Sequence, residues 1–234
     1  MSGTLEVRVL SAHDAAPAEA GGADRLELVN LVDDEPMSPE PREVAAVRSR
    51  TTLHLRPVVR LREGFSTDGG EAVRLRGLIS SYLDAGADGL VLGFLNGLGE
   101  VDVEVLGALL TDVGCPWSFS RALDSCLDTD DAWAVLRRLP GLDSVRTAGS
   151  ARSLEHGLDD LVRRARADAE LAALVVADGD LHPDHVPWLV RAGVRQFHLD
   201  DQVRPGGSRK AYVDEALVGS WRRLIDTEVA HDRR

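Results

Sequence analysis

A chain of 234 residues with 44% hydrophobic and 28% charged residues is typical of a globular protein with a sizeable core, which excludes a largely disordered chain. Its net charge of −12 argues against nucleic-acid binding, because a phosphate-binding face needs clustered Lys and Arg. No apolar run approaches the roughly 18 residues of a membrane span, and the first residues lack the features of a signal peptide. We therefore expect a cytoplasmic protein, a single domain over residues 1–234, with neither membrane nor nucleic acid as partner.

Short β-like segments alternate with segments of helical periodicity along the chain. The predicted strands are 5–10, 25–28, 53–60, 89–93, 117–120, 144–147, 173–177 and 195–199, and the predicted helices are 12–20, 39–50, 70–85, 103–113, 130–139, 153–167, 183–192 and 212–229. Eight such units indicate parallel strands joined by crossover helices. The pattern predicts a single (β/α)8 TIM barrel of the α/β class. An open doubly wound sheet is the alternative, but the Gly-x-Gly-x-x-Gly fingerprint does not follow the first strand.

The alternation of side chains along each predicted strand predicts which residues line the barrel. Successive side chains point to opposite faces of the sheet: those of one parity, odd or even, face the helices and must be apolar, and those of the other parity face the interior. In the fifth strand, for example, Trp117 and Phe119 alternate with serines. In the sixth strand the pattern leaves open whether Arg146 or Thr147 points inward. The residues of inward parity are Glu6, Arg8, Glu27, Arg56, Arg60, Ser118, Ser120, Gln196 and His198.

The predicted lining carries three arginines and two glutamates, an excess of one positive charge. Unpaired buried ions cost several kcal/mol each, so the excess indicates that a small anion occupies the mouth of the barrel. The alternative is a structural network in which Glu6 pairs with Arg8, and Glu27 with Arg60. The sequence leaves both interpretations open.

Six segments in a fixed order carry a resemblance to a known family. They lie at residues 19–28, 37–39, 57–65, 86–93, 118–124 and 213–218, and include Gly-Gly-Ala-Asp-Arg-Leu-Glu-Leu and Ser-Phe-Ser-Arg-Ala-Leu-Asp. Together they resemble the CutC proteins, TIM-barrel proteins linked to copper homeostasis. The resemblance covers nearly the whole chain. It implies a site at the carboxyl ends of the strands, formed by Glu27, Arg60, Arg121, Asp124, Thr147 and His198.

The sequence departs from the family pattern at positions that matter for metal binding. Val29 stands where the family has a cysteine, and Ser120 where it has a histidine. Cu(I) prefers soft ligands, so the loss of both argues against copper coordination by this chain. We therefore predict no metal site, and no motif identifies a cofactor.

The loops after the last two predicted strands are rich in Asp and His. A divalent metal or simple helix capping would explain them, and capping is favoured because Asp180 and Pro183 suit a helix start. Acidic residues also replace the glycine amides that bind phosphate in many barrels. We therefore assign anion binding to the arginines, whose forked donors suit carboxylate or phosphate. The predicted ligand contacts are Arg60, Arg62, Arg121, Ser120, Thr147 and Asp178.

Three functions remain as hypotheses. The first is a CutC-like protein with an anion-binding mouth. The second is a lyase or isomerase of a small carboxylated or phosphorylated metabolite, with Glu27 as base, Arg60 as anchor and His198 as acid, assisted by Arg121 and Asp124. The third is a barrel without catalysis. Tryptophans on predicted helices also suggest a homodimer; they are Trp133, Trp188 and Trp221.

Overall fold

The computed structural model of this chain describes residues 3–232. The predicted domain of residues 1–234 therefore includes four terminal residues (1, 2, 233 and 234) that lie outside the described ones. The strands, in chain order, are β1 (Thr4–Val9), β2 (Arg25–Leu28), β3 (Asn30–Val32), β4 (Glu35–Met37), β5 (His54–Pro57), β6 (Leu90–Leu92), β7 (Trp117–Phe119), β8 (Leu142–Thr147), β9 (Val175–Ala177) and β10 (Gln196–Leu199).

Eight of these strands form one parallel sheet in the order β5-β2-β1-β10-β9-β8-β7-β6. A parallel bridge between Val58 and Val91 joins the two end strands, and the Val59 amide donates to the Val91 carbonyl at 2.8 Å. The sheet therefore closes on itself, and the predicted (β/α)8 barrel is confirmed.

Helices connect the strands on the outside of the barrel. Most begin at an Asp or Ser whose side chain accepts a first-turn amide; Asp68, for example, accepts from Glu71 N at 2.9 Å. None of the helices within residues 3–232 is long and apolar enough to cross a bilayer. The helices are α1 (Ala12–Ala20), α2 (Pro41–Arg48), α3 (Gly69–Asp84), α4 (Val103–Leu110), α5 (Thr129–Leu136), α6 (Leu154–Ala167), α7 (Ala169–Leu174), α8 (Val186–Arg191) and α9 (Glu215–His231).

Two elements of the structure were not predicted from the sequence. The antiparallel hairpin β3–β4 turns through Asp33 and Asp34, both at positive φ. A tight hairpin turn is usually marked by Asn-Gly or Asp-Gly, so Asp-Asp gives little signal. The short helix α7 follows α6 directly, because Asp168 ends one helix and accepts the amides of Glu170 and Leu171 to start the next.

The main core lies between the barrel strands and the helices. Leu5, Val7 and Val9 of β1 are fully buried there, as their predicted outward parity requires. Of the tryptophans that suggested a dimer, Trp133 and Trp221 are buried in the same core, whereas Trp188 is half exposed beneath Arg191. The homodimer stays a prediction.

Candidate functional site

A cavity of about 340 Å³ opens at the carboxyl ends of the barrel strands. This volume is at the small end of the range for ligand pockets. Arg62 and Thr147, although predicted as ligand contacts, do not line it. The predicted site residues that do line it are Glu27, Arg60, Ser120, Arg121, Asp124, Asp178 and His198.

Glu27 of β2 lies at the bottom of the cavity and contacts three cationic side chains. Its Oε2 accepts from Arg8 Nε at 2.6 Å and from His198 Nε2 at 2.9 Å, and its Oε1 accepts from Arg146. Burial by itself would raise the pKa of Glu27, but Arg146, Arg8 and His198 together lower it well below its usual range. The carboxylate is therefore ionised and its charge is fully paired.

A second buried carboxylate, Glu6 of β1, lies deeper in the barrel. It accepts from Arg25 and from Arg146, so Arg146 joins both glutamates. Arg146 is 1% exposed and points inward, which settles the open question about the sixth barrel strand. The sequence pattern of this strand did not show whether Arg146 or Thr147 points inward, and in the structure both side chains are buried.

The predicted partners within the alternative network are wrong. Glu6 pairs with Arg25 rather than with Arg8, and Glu27 pairs with Arg8 rather than with Arg60. The strand register explains this, because Glu6 lies opposite Arg25 and Arg8 opposite Glu27 on the neighbouring strand. Neighbouring strands are about 4.8 Å apart, whereas residues two apart on one strand are separated by about 6.6 Å.

His198 of β10 lies between two carboxylates. Its Nε2 is 2.9 Å from Glu27 Oε2 and its Nδ1 is 3.1 Å from Asp178 Oδ1. Burial by itself lowers the pKa of His198, but the opposing effect of Asp178 and Glu27 is larger, and the pKa is raised to about 9. The same contacts hold the pKa of Asp178 well below its usual range, against the effect of burial. His198 is therefore an imidazolium at neutral pH, with both N–H groups directed at carboxylates.

These residues form one connected set, which we call the lumen network. Arg8 extends it to Asp200 at 2.7 Å. Arg209 joins through Asp200 at 2.9 Å and reaches Asp34 at 3.7 Å. Five carboxylates then face four arginines and one imidazolium, so the network is neutral when His198 is protonated. Its members are Glu6, Arg8, Arg25, Glu27, Asp34, Arg146, Asp178, His198, Asp200 and Arg209.

The predicted excess of positive charge in the lining is wrong, because two arginines pair outside the network. Arg56 Nη1 donates to Asp143 Oδ1 at 2.7 Å. Arg60 Nη2 is 2.9 Å from Glu35 on the hairpin, and its guanidinium lies over the Phe65 ring. The partners Asp143 and Glu35 were not among the residues predicted to point into the barrel. The charge count of the predicted lining therefore did not include them.

Arg121 and Asp124 lie on a 3₁₀ turn that follows β7. Arg121 Nε donates to Asp124 Oδ2 at 2.9 Å. Asp124 also accepts from Ala148 N at 2.9 Å and from Thr147 Oγ1 at 2.5 Å. Thr147 thus donates a hydrogen bond that helps to position Asp124, and it does not line the cavity. Ser120 begins the turn, where its Oγ accepts from Ala122 N at 3.3 Å.

The guanidinium of Arg121 packs against the backbone of Gly179, which follows β9. A Cβ atom on Gly179 would lie 2.8 Å from both Cζ and Nη1 of Arg121. Gly179 has a φ of +94, so a side chain there would be strained for a second reason. The close approach fixes the guanidinium over the end of β9.

Four guanidinium nitrogens on cavity-lining residues make neither a hydrogen bond nor an ion pair with any described residue. Two of them, Nε of Arg146 and Nε of Arg209, are buried away from the cavity space. The other two are Nη1 of Arg121 and Nη2 of Arg8, whose remaining guanidinium nitrogens are engaged by Asp124, Ser150, Glu27 and Asp200. Guanidinium donors held in place by carboxylates are well suited to bind a carboxylate or phosphate oxygen.

Arg62 lies outside the cavity. Its Nε is 2.8 Å from Glu71, and its Nη2 pairs with Asp68 at the start of α3. The predicted ligand role of Arg62 therefore has no support from its position.

The residues that suggested a metal are placed for other roles. His185 Nδ1 accepts the amide of His182 at 3.1 Å, which is a helix-start contact. The two cysteines, Cys115 and Cys126, do not line the cavity, and burial raises the pKa of Cys126 to about 11. In the part of the chain that the structure describes, no group of three His, Cys, Asp or Glu residues is arranged to hold a metal ion.

Comparison with known proteins identifies close sequence relatives. Family protein CutC of Klebsiella pneumoniae is 31% identical over 242 residues, which cover 94% of this chain and 97% of that protein. Family protein CutC of Xanthomonas campestris is 30% identical over 200 residues, which cover 83% of this chain and 81% of that protein.

Solved structures show the same fold. The copper homeostasis protein CutC of Streptococcus agalactiae superposes with a TM-score of 0.73 and 18% identity, covering 84% of this chain and 97% of that one. Homocysteine methyltransferase of Escherichia coli has a TM-score of 0.63 and 15% identity over 96% of each chain, a likeness of fold alone. The model of the CutC family matches residues 4–203. The chain therefore belongs to the CutC family.

Proposed function

We propose that this chain binds a small organic monocarboxylate in the cavity at the mouth of the barrel. Membership of the CutC family implies a role in copper homeostasis at the family level, and ligand binding would be the contribution of this chain to that role. The observation that carries the proposal is the pair of guanidinium nitrogens, Arg121 Nη1 and Arg8 Nη2, which lack a partner among residues 3–232.

The arginine donors are held in place before any ligand arrives. Asp124 and the backbone of Gly179 fix Arg121, and Glu27 and Asp200 fix Arg8. Such preorganisation reduces the entropy that binding must overcome. It supports a bound carboxylate, whose two oxygens match the fork of a guanidinium.

The charge of the surroundings favours a single negative charge over two. The lumen network is neutral when His198 is protonated, so it offers no surplus cation to a dianion. Further carboxylates also line the cavity and would repel a second charge. They are Asp180 and Asp201, whereas Asp34 and Glu35 are paired with Arg209 and Arg60.

The cavity does not fit copper. His198 is the one histidine of its lining, which includes neither Cys nor Met. Both ring nitrogens of His198 point at carboxylates, so neither offers a lone pair to a metal. Cu(I) prefers thiolate and thioether ligands, and Val29 and Ser120 replace the family's cysteine and histidine.

The lyase or isomerase hypothesis has less support from the geometry. Its predicted base and acid, Glu27 and His198, are held by ion pairs to each other and to their neighbours within the lumen network. A group used for proton transfer needs a free position toward the substrate. Enzyme activity stays a hypothesis.

Removal of the Arg121 guanidinium tests the proposal. Butyrate at tenfold excess over its Kd should raise the Tm of the unmodified protein by roughly 3 to 5 °C. Arg121→Gln should abolish this ligand-dependent rise, whatever its effect on the Tm without ligand. Arg163→Gln is the matched control, because Arg163 is exposed on α6 and should leave the rise unchanged. If no carboxylate stabilises the unmodified protein, or if Arg121→Gln responds equally, the proposal is wrong.

A further inference from the structure

We infer that the ligand of this cavity is a monocarboxylate that carries a compact apolar group, and that the apolar group packs on the ends of β5 and β6. The inference rests on the proposed carboxylate site and adds the other half of the ligand. It follows from where the barrel places apolar and charged side chains relative to one another.

The topology sets the guanidinium of Arg121 opposite an apolar surface. In the closed order of eight strands, β5 lies diametrically opposite β9, and β1 opposite β7. The guanidinium of Arg121 lies over Gly179 at the end of β9, whereas Arg8 belongs to β1. A ligand whose carboxylate contacts Arg121 therefore points its other end at β5 and the neighbouring β6.

The wall on β5 and β6 is apolar and buried. Val58 and Val91 line the cavity and are 6% and 1% exposed. They form a small apolar cluster with Val29, separate from the main core, and Leu10 and Leu31 pack against it. A methyl group against Val58 and Val91 would therefore lie on a continuous apolar surface, which is favourable by about 0.8 kcal/mol per buried CH₂.

A second charged group on the ligand would face this wall. A carboxylate or phosphate against Val58 and Val91 would be buried without a donor, which costs several kcal/mol. Arg60, which lines the cavity two residues after Val58, is already paired with Glu35 at 2.9 Å. Dicarboxylates and phosphorylated compounds are therefore disfavoured.

Isothermal titration of the full chain with acetate, butyrate, 4-methylpentanoate, succinate and inorganic phosphate tests the inference. The Kd should fall about fourfold for each added methylene, the equivalent of ~0.8 kcal/mol, from acetate to 4-methylpentanoate. Succinate and phosphate should bind at least about tenfold more weakly than butyrate, in line with the cost of an unpaired buried charge. A Kd that does not change with chain length, or tighter binding of succinate or phosphate than of butyrate, overturns the inference.

A variant of the wall gives a second measurement. Val91→Thr exchanges a methyl group for a hydroxyl of the same size and should weaken 4-methylpentanoate by about fivefold to tenfold, while acetate binding stays unchanged. Val73→Thr, at a position 74% exposed on α3, is the matched control and should alter neither. Equal weakening of acetate and 4-methylpentanoate by Val91→Thr would contradict a specific apolar contact.

The two proposals fail in different ways. If all monocarboxylates bind alike and Arg121→Gln removes their binding, the apolar inference is wrong and the carboxylate site stands. If no monocarboxylate binds, the carboxylate site is wrong and the apolar inference is wrong with it.

Discussion

His198 supplies one of the five positive charges of the lumen network. Glu27 and Asp178 contact opposite sides of its ring, while Arg146 and Glu6 also act on its charge from deeper in the barrel. A buried carboxylate without a cation is costly, so each acid of the network depends on its neighbours. The imidazolium is therefore part of what keeps the interior folded.

Stability should fall at alkaline pH because of His198. Its pKa is raised from 6.5 to about 9 in the folded state, so its contribution is fully present below pH 6.5 and is lost as the pH rises through 9. Urea unfolding between pH 6 and 9 should show the free energy of unfolding falling by roughly 1 to 3 kcal/mol.

The same measurement on two variants isolates this effect. His198→Gln should be less stable by roughly 3 kcal/mol at pH 6, because it leaves Asp178 and Glu27 without the imidazolium, and its stability should vary less with pH. His231→Gln, at an exposed position near the end of α9, should keep the pH dependence of the unmodified protein. An equal pH dependence in His198→Gln would show that another group is responsible.

At the scale of elements, the hairpin β3–β4 forms one side of the cavity entrance. A two-stranded hairpin is marginally stable by itself, so it depends on contacts with the barrel. Leu31 packs on the cluster of Val29, Val58 and Val91. Arg60 adds polar contacts, with Nη2 at 2.9 Å from Glu35 and Nη1 at 3.5 Å from the Pro36 carbonyl. The ion pair thus helps to hold the hairpin against the mouth.

Loss of this ion pair should loosen the hairpin without unfolding the barrel. Glu35 is 44% exposed, so the pair contributes at most about 1 kcal/mol. Glu35→Gln should accelerate amide hydrogen exchange at residues 30–37 by roughly twofold to fivefold, with little change in Tm. Glu104→Gln on α4 serves as the exposed control. Unchanged exchange in Glu35→Gln would mean that other contacts hold the hairpin.

At the scale of the whole molecule, a neutral interior lies within a protein of net charge −12. The negative charge is therefore on the outside, where it attracts cations only weakly at physiological salt. Family membership connects the chain with copper homeostasis, but the cavity lining lacks thiol and thioether ligands.

Copper should not bind tightly to this chain. Anaerobic titration with Cu(I) against a chromophoric competitor should show no submicromolar stoichiometric site, because the residues that line the cavity offer no soft ligand set. The double variant Cys115→Ser/Cys126→Ser is the control for adventitious binding to the thiols. Tight binding that persists in this double variant would contradict the claim that the cavity has no ligand set for Cu(I). Tight binding that is lost in the double variant would place copper at the cysteines.

The barrel and much of its lining were predictable from the order of residues alone. Alternation of strands and helices is a local property, so eight βα units were visible without any contact being known. Parity likewise placed Glu27 and His198 in the interior, where the structure has them.

Which charges pair with each other depends on contacts between distant parts of the chain. Strand register pairs Arg8 with Glu27, and the closure of the barrel brings Arg146 to both glutamates from distant parts of the chain. The loops supply partners that strand parity does not reveal, as Glu35 does for Arg60. The apolar wall opposite the Arg121 guanidinium likewise results from closure of the barrel, because two strands that face each other across a barrel are not neighbours in the chain.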